Sequence, residues 1–391
     1  MISLVRVLIL LIFLLVPLLG PGDLGYEQTK VLFFIIITSV TGFLWLYLII
    51  QGKVKIAWNQ TNKLCLIFII WLLVASIFGS DPKASIFGKQ PYIQGWILYL
   101  YFFILFLIIR SIKISKIHLA AALSLSAIIV SYAAIKDWML INIFGFYIPT
   151  YAGRVVSTFG QPNFYSGFLL IVLPFIYYGR KSLSFQKFYL TALMLSVVGI
   201  LASESRASII ILFGLMLFWL LKNLKYRKLA FGIYGFFIAI SFIFFVHKEI
   251  LQPSSVEWLF HNAPEKRAVF WPVLFEQYSK KWIAGYGLEN IDTSFAKYEK
   301  FHEQRSPAYF GIKNLIVDRS HNYILDLLIF SGIFGTLIWI LLVVSLLRKA
   351  KGVLLLSLII YLLWIQLQNQ SVVHLMYFWL VAGLIDQQSN T

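Results

Sequence analysis

Residues 31–50 form an uninterrupted apolar run without a single charged side chain. As an α-helix, a run of that length crosses the roughly 30 Å hydrocarbon core of a bilayer. The pattern recurs along the chain and predicts about twelve spans, with cores at 4–19, 31–50, 64–78, 96–109, 117–134, 164–178, 188–202, 207–221, 229–246, 322–347, 353–367 and 372–385. In lipid the backbone polar groups must find their partners within the chain, so the expected class is an all-α polytopic membrane protein. Composition excludes the water-soluble alternative, since 60% of residues are hydrophobic and only 13% charged. A formal charge of +17 could suggest nucleic acid, but the basic residues sit in short clusters between apolar runs, the pattern that orients a chain in a membrane. No nucleic-acid partner is expected. Cys65 is the single cysteine and lies inside an apolar run, which leaves neither a disulfide framework nor a thiolate metal site.

The basic residues also give a topology. With the N-terminus inside, the inner loops hold Arg6, Lys53, Lys55, Lys63, Arg110, Lys113, Lys116, Arg180, Lys181, Lys187, Lys222, Lys225, Arg227, Lys228, Arg348, Lys349 and Lys351. The short outer loops hold only Lys30, Lys83, Lys89, Lys136, Arg154 and Arg206. The first span is read as retained, because its start carries only Arg6 and no small-residue cleavage site follows. The polar run 366–371 is read as a turn between two short spans, with one long tilted helix as the alternative. Three regions follow: 1–246 with spans 1–9, an extracytoplasmic loop domain at 247–320, and 321–391 with spans 10–12 and a short cytoplasmic tail. Within the long loop, 262–265 reads as a capped helix start, and Arg267, Trp271, Leu274 and Tyr278 form an apolar-edged stripe at helical spacing. Pro272 is expected to kink or split that helix. Gly285-Tyr-Gly287 breaks the chain, and Ile291, Phe295 and Tyr298 mark a second amphipathic helix. Both helices are expected to rest on the outer leaflet, apolar face down.

Chemical signals collect at the outer ends of even-numbered spans. Gln161-Pro-Asn163 precedes the sixth, Ser203-Glu-Ser-Arg206 forms the hairpin before the eighth, and Ser320-His321-Asn322 opens the tenth. Ser320 is read as the N-cap, which puts His321 in the first helical turn, where the helix dipole keeps an imidazole neutral and suited to general-base work. Several positive helix ends, joined by Arg206 and Arg267, would line an anion site. Each residue also has a plainer reading: Arg206 as a charge snorkelling to lipid phosphates, Arg267 as a solvated loop charge with Lys266 beside it, His321 as an interfacial histidine. Asp326, a carboxylate within the tenth span, is expected either to pair or to serve the site. Asp23 with Glu27 is the nearest approach to a ligand set outside the membrane and its spacing is loose, so neither a metal nor a cofactor is expected.

These segments in this order resemble the O-antigen ligase-like membrane proteins, a family of O-antigen ligases, polysaccharide polymerases and protein O-oligosaccharyltransferases. The resemblance rests on 80–88 with Gln94-Gly95, Gly160-Gln-Pro-Asn163, Ser203-Glu-Ser-Arg-Ala207, Arg267 and Trp271 leading to Gly285-Tyr-Gly287, and His321-Asn322 with Gly332 and Gly335. It implies a bacterial inner-membrane glycosyltransferase of polysaccharide or lipopolysaccharide biosynthesis with its site facing outside. The donor would be a polyprenyl-diphosphate-linked glycan such as undecaprenyl diphosphate carries, and the acceptor a glycan, lipid core or protein. The family's essential residues fall on Arg206, Arg267 and His321, and Gln161, Asn163, Ser205, Ser320 and Asn322 are the expected substrate contacts. A diphosphate is already a good leaving group, so such a site must mainly neutralise charge and accept a proton, and attack opposite the diphosphate inverts the anomeric centre. The reading from a different class is a lipid-linked glycan flippase or transporter; its signs, similar halves and polar residues at mid-membrane, do not show in this sequence.

Overall fold

The computed structural model describes residues 1–151, 153–222, 263–293 and 318–388. Among them every regular element is helical, apart from an isolated bridge between Tyr151 and Arg154. The helices are α1 (Ile2–Leu15), α2 (Tyr26–Ile50), α3 (Gln60–Ile77), α4 (Pro82–Phe87), α5 (Trp96–Ser111), α6 (Lys116–Asn142), α7 (Pro162–Gly179), α8 (Gln186–Ala202), α9 (Arg206–Lys222), α10 (Ala263–Lys280), α11 (Tyr323–Lys349), α12 (Gly352–Trp364) and α13 (Val372–Gln388). Five stretches, Tyr26–Ile50, Gln60–Ile77, Lys116–Asn142, Leu183–Ala202 and Tyr323–Lys349, are long and apolar enough to cross a membrane. Ile2–Leu18, Trp96–Ser111, Arg206–Phe218 and Gly352–Trp364 are shorter apolar helices. The expected ninth span, at 229–246, and the helix expected around Phe295 and Tyr298 lie outside the described residues. The run 366–371 does separate two helices, α12 and α13.

Two helices form the centre of the bundle. In α7 all residues from Phe164 to Ile176 are buried, and in α13 all from Val372 to Asp386. A helix buried on every side needs no amphipathic stripe. Gly167 makes their contact possible, since a Cβ there would lie 2.3 Å from the Trp364 ring and 2.8 Å from His374 Nε2. Around them, Phe43 of α2, Ile210 of α9 and Leu341 of α11 are exposed apolar side chains, which suit contact with lipid tails.

Hydrogen bonds sort several helix ends into two groups. In one, α1 leads into Leu19, whose carbonyl accepts from Lys30 Nζ near the start of α2, and Lys30 also donates to Thr158 O at 2.6 Å, ahead of α7. In the other, Asn59 ahead of α3, Arg110 at the end of α5 and Lys349 at the end of α11 all bond Asp386 near the end of α13.

One long helix is interrupted by design of its backbone. Gly332 inside α11 has φ 65° and ψ −168°, a conformation open essentially to glycine. The break releases carbonyls that the turn after α10 uses: Tyr286 N–H donates to Ile329 O at 2.7 Å and Gly287 N–H to Phe330 O at 3.0 Å, while Ile333 N–H donates to Trp282 O at 2.8 Å. A Cβ on Gly332 would sit 2.1 Å from Ile283 O. The loop is thus locked into α11 by backbone bonds.

Two expectations about α10 are corrected. Pro272 does not split it, since one helix runs from Ala263 to Lys280 and the buried Val273, Leu274 and Gln277 hold its second half against the bundle. Its stripe faces protein rather than lipid: Leu274 is fully buried, and Trp271 and Tyr278 pack on the core.

Candidate functional site: a polar loop at four helix starts

His321 stands just outside α11, not within its first turn. Asn322 is the N-cap, its Oδ1 accepting from Leu325 N–H at 3.1 Å. Ser320 fails as the cap because the chain reverses at His321, whose φ is 58°. That reversal folds the Ser320 hydroxyl back onto Asn322, where it accepts from the Asn322 N–H at 3.1 Å and donates to the Asn322 carbonyl at 2.6 Å. His321 is therefore the middle residue of a pinched, left-handed turn. The turn is held from outside as well: Ser320 N–H donates to Asp326 Oδ1 at 2.8 Å, and the Trp271 indole donates to Ser320 O at 2.8 Å. Asp326, expected to pair or to serve the site, is buried and bonds this backbone.

The loop 366–371 connects the separate parts. Asn322 Nδ2 donates to Gln366 O at 3.3 Å, and Tyr323 N–H to Ile365 O at 3.0 Å. Asn163 Nδ2, in the first turn of α7, donates to Gln368 Oε1 at 2.9 Å. Asn369 Nδ2 reaches Tyr92 Oη at 3.2 Å, and Gln370 accepts from Gln94 Nε2 through its carbonyl at 2.8 Å and from Tyr361 Oη through its side chain at 2.5 Å. Ser371 pairs with His374, and Val372 N–H, at the start of α13, donates to Glu27 Oε2 at 2.9 Å. Ser166 and Ser208 hydroxyls, 2.8 Å apart, join the first turns of α7 and α9. The starts of α7, α11 and α13 thereby gather around one polar loop, with the start of α9 joined to α7, and the positive ends of their dipoles point toward that face. First-turn N–H groups of α11 and α13 are already taken by Ile365 O, Asn322 Oδ1, Glu27 Oε2 and Ser371 Oγ.

The expected site residues occupy this region unequally. Arg206 is the first residue of α9, and its side chain is exposed. Arg154 Nη1 donates to Glu204 O at 3.4 Å, adding a second basic residue at the same hairpin. Gln161 precedes α7 without capping it, and its Oε1 has no bonding partner among the described residues; the same holds for Ser205 Oγ. Asn163, Ser320 and Asn322 use their side chains to hold the chain itself. The side chain of Arg267 lies outside the described residues. Its position is one turn ahead of Trp271 on the same face of α10, and Trp271 touches the residue next to His321. Glu27 Oε2 accepts from Val372 N–H at the start of α13.

Sequence reading missed a buried ion pair beside this loop. Arg319 Nη2 bonds Glu289 Oε1, Arg319 Nη1 donates to Asp318 O at 2.9 Å, and the guanidinium stacks 4.5 Å from the Tyr92 ring centroid. Glu289 Oε1 also accepts from Gln94 N–H at 3.2 Å. Burial pushes the Glu289 carboxyl above its usual range, with Arg319 pulling it back. Removing either partner would leave a buried charge without compensation. Long-loop charges normally read as solvated, and the one available signal was that Arg319 and His321 flank Ser320.

Residues 191–340 match the family described as O-antigen ligase. The matched stretch contains the Arg206 hairpin, α10 and His321. No curated protein matches the chain. The match supports an O-antigen ligase-like family of membrane glycan ligases and polymerases, and the apolar helices agree with a multi-pass membrane protein. Lipid-linked glycan and acceptor are the partners that family implies in general.

Proposed function

We propose that this O-antigen ligase-like chain transfers a glycan from a polyprenyl-diphosphate donor to an acceptor hydroxyl at the extracytoplasmic face of the inner membrane. The gathering of the starts of α7, α11 and α13 and the His321 turn around the loop 366–371 supports the reading, because it brings positive helix ends, with the start of α9 joined to α7, to the face that carries His321. Arg206 and Arg267 neutralise the diphosphate. The planar guanidinium forks onto phosphate oxygens and stays charged at a membrane surface. The acceptor oxygen attacks the anomeric carbon from the side opposite the diphosphate and its proton passes to His321. As the new C–O bond forms, the bond from the anomeric carbon to the diphosphate oxygen breaks and the polyprenyl diphosphate departs with that electron pair. The linkage is inverted. Gln161 and Ser205 offer polar atoms to the sugar, and Asn163, Ser320 and Asn322 shape the pocket through the bonds they make to the chain.

The test is reconstitution. Purified protein in vesicles, given a polyprenyl-diphosphate oligosaccharide with lipid-core, glycan and peptide acceptors, should add one glycan mass to one acceptor class and release polyprenyl diphosphate. Donor moved across the bilayer with its glycan still attached would support the transporter reading and contradict this one.

A further inference from the structure

His321 occupies a conformation that residues with a side chain seldom adopt, and a single such residue persists only where its surroundings over-determine it. Here the surroundings can be named. The Ser320 hydroxyl spans the turn to both backbone groups of Asn322, and Ser320's own backbone is held at N–H by Asp326 and at C=O by Trp271. Asp326 is itself fixed, since its N–H donates to Asn322 O at 2.9 Å and its position in the first turn of α11 sets a carboxylate against the positive helix end. The Asp326 carboxylate connects α11 directly to the residue that precedes His321, as the Trp271 indole connects α10 to it.

We infer that Asp326 is the positioning residue of His321: through the Ser320 N–H it maintains the left-handed turn that presents the imidazole to the acceptor. The inference rests on the reading of His321 as the base, and Asp326 itself touches no substrate. Without the carboxylate the Ser320 N–H loses its partner, the turn relaxes toward ordinary backbone angles, and the ring leaves its attack geometry. Displacement of a catalytic group by about 1 Å can lower turnover about 100-fold.

A four-member kinetic comparison tests this. Turnover and donor KM are measured for wild type, Asp326→Ala, His321→Ala and the double variant, together with Asp326→Asn, whose amide oxygen can still accept from Ser320 N–H. The expected result is an Asp326→Ala turnover lowered about 100-fold with donor KM unchanged, recovery close to wild type in Asp326→Asn, and no further loss when Asp326→Ala is added to His321→Ala. Equal losses from Asp326→Ala in both backgrounds would mark a merely structural carboxylate and overturn the inference, as would normal turnover in Asp326→Ala while His321→Ala is impaired. Near-normal His321→Ala would instead sink the base assignment, and the positioning role with it.

Discussion

Both ends of the helix bundle hold cations internally, but they differ in whether an arginine stands exposed at a helix start. At the end where α5, α11 and α13 finish, Asp386 takes Arg110 Nε at 2.7 Å, Lys349 Nζ at 3.0 Å and Asn59 Nδ2 at 2.8 Å and 2.9 Å. Arg110 also donates to Ala57 O at 2.5 Å, and Lys349 to Thr61 Oγ1 at 2.6 Å. Arg110 and Lys349 are thus consumed by the protein, while Lys53, Lys55 and Lys63 stay exposed in loops and at a helix start there. At the other end Arg319 is likewise consumed, by Glu289, and Lys30 by the carbonyls of Leu19 and Thr158, but Arg206 stays exposed at a helix start with no ion pair among the described residues. A cation satisfied internally is a staple, whereas a cation at the positive end of a helix is available to an anionic ligand.

The sharpest way to break that contrast is to ask which face each end meets. Cysteines placed at Lys53, in the loop that leads to Asn59, and at Ser279, an exposed position of α10, should label from opposite sides of intact membranes, while the buried native Cys65 stays unlabelled. Labelling of both from one side would dissolve the two-ended account. Next in size, Asp386→Ala should destabilise the protein by about 3–5 kcal/mol, seen as a lower melting temperature in detergent, because Arg110 keeps its buried charge without its partner. Folded Asp386→Ala should turn over normally. Arg206→Lys should do the reverse, leaving the melting temperature unchanged and lowering turnover about tenfold, since the charge is kept and the forked geometry lost. Near-normal turnover in that variant would make Arg206 a lipid-facing charge. The smallest effect belongs to EDTA, which should leave turnover unaltered if arginines and helix ends meet the diphosphate; loss restored by magnesium would refute that.

The apolar helices were legible because length and apolarity are local properties, although among the described residues five stretches are long and apolar enough to cross a membrane where twelve spans were expected. Even the break between α12 and α13 showed as a polar run. What that run does was not legible: Gln366, Gln368 and Gln370 take partners on α11, α7 and the loop before α5, at separations no periodicity reports. The cap of α11 was misplaced by two residues since serine and asparagine cap equally well, and the choice depends on the reversal at His321, which bonds from Trp271 and Asp326 hold. Gly332 was singled out only by resemblance. Its reason is a tertiary one, the docking of 282–287 into the interrupted helix.

The central claim, that the polar end performs the chemistry with His321 as proton acceptor, is tested most directly by pH–rate profiles of wild type and His321→Gln. A base works only when neutral, so wild-type turnover should fall as the pH drops and the ring takes up a proton. His321→Ala and His321→Gln should each lower turnover about 10²- to 10⁴-fold with membrane insertion intact, and the residual rate of His321→Gln should show no acidic limb. A variant with near-normal turnover, or one that keeps the wild-type acidic limb, would contradict the account.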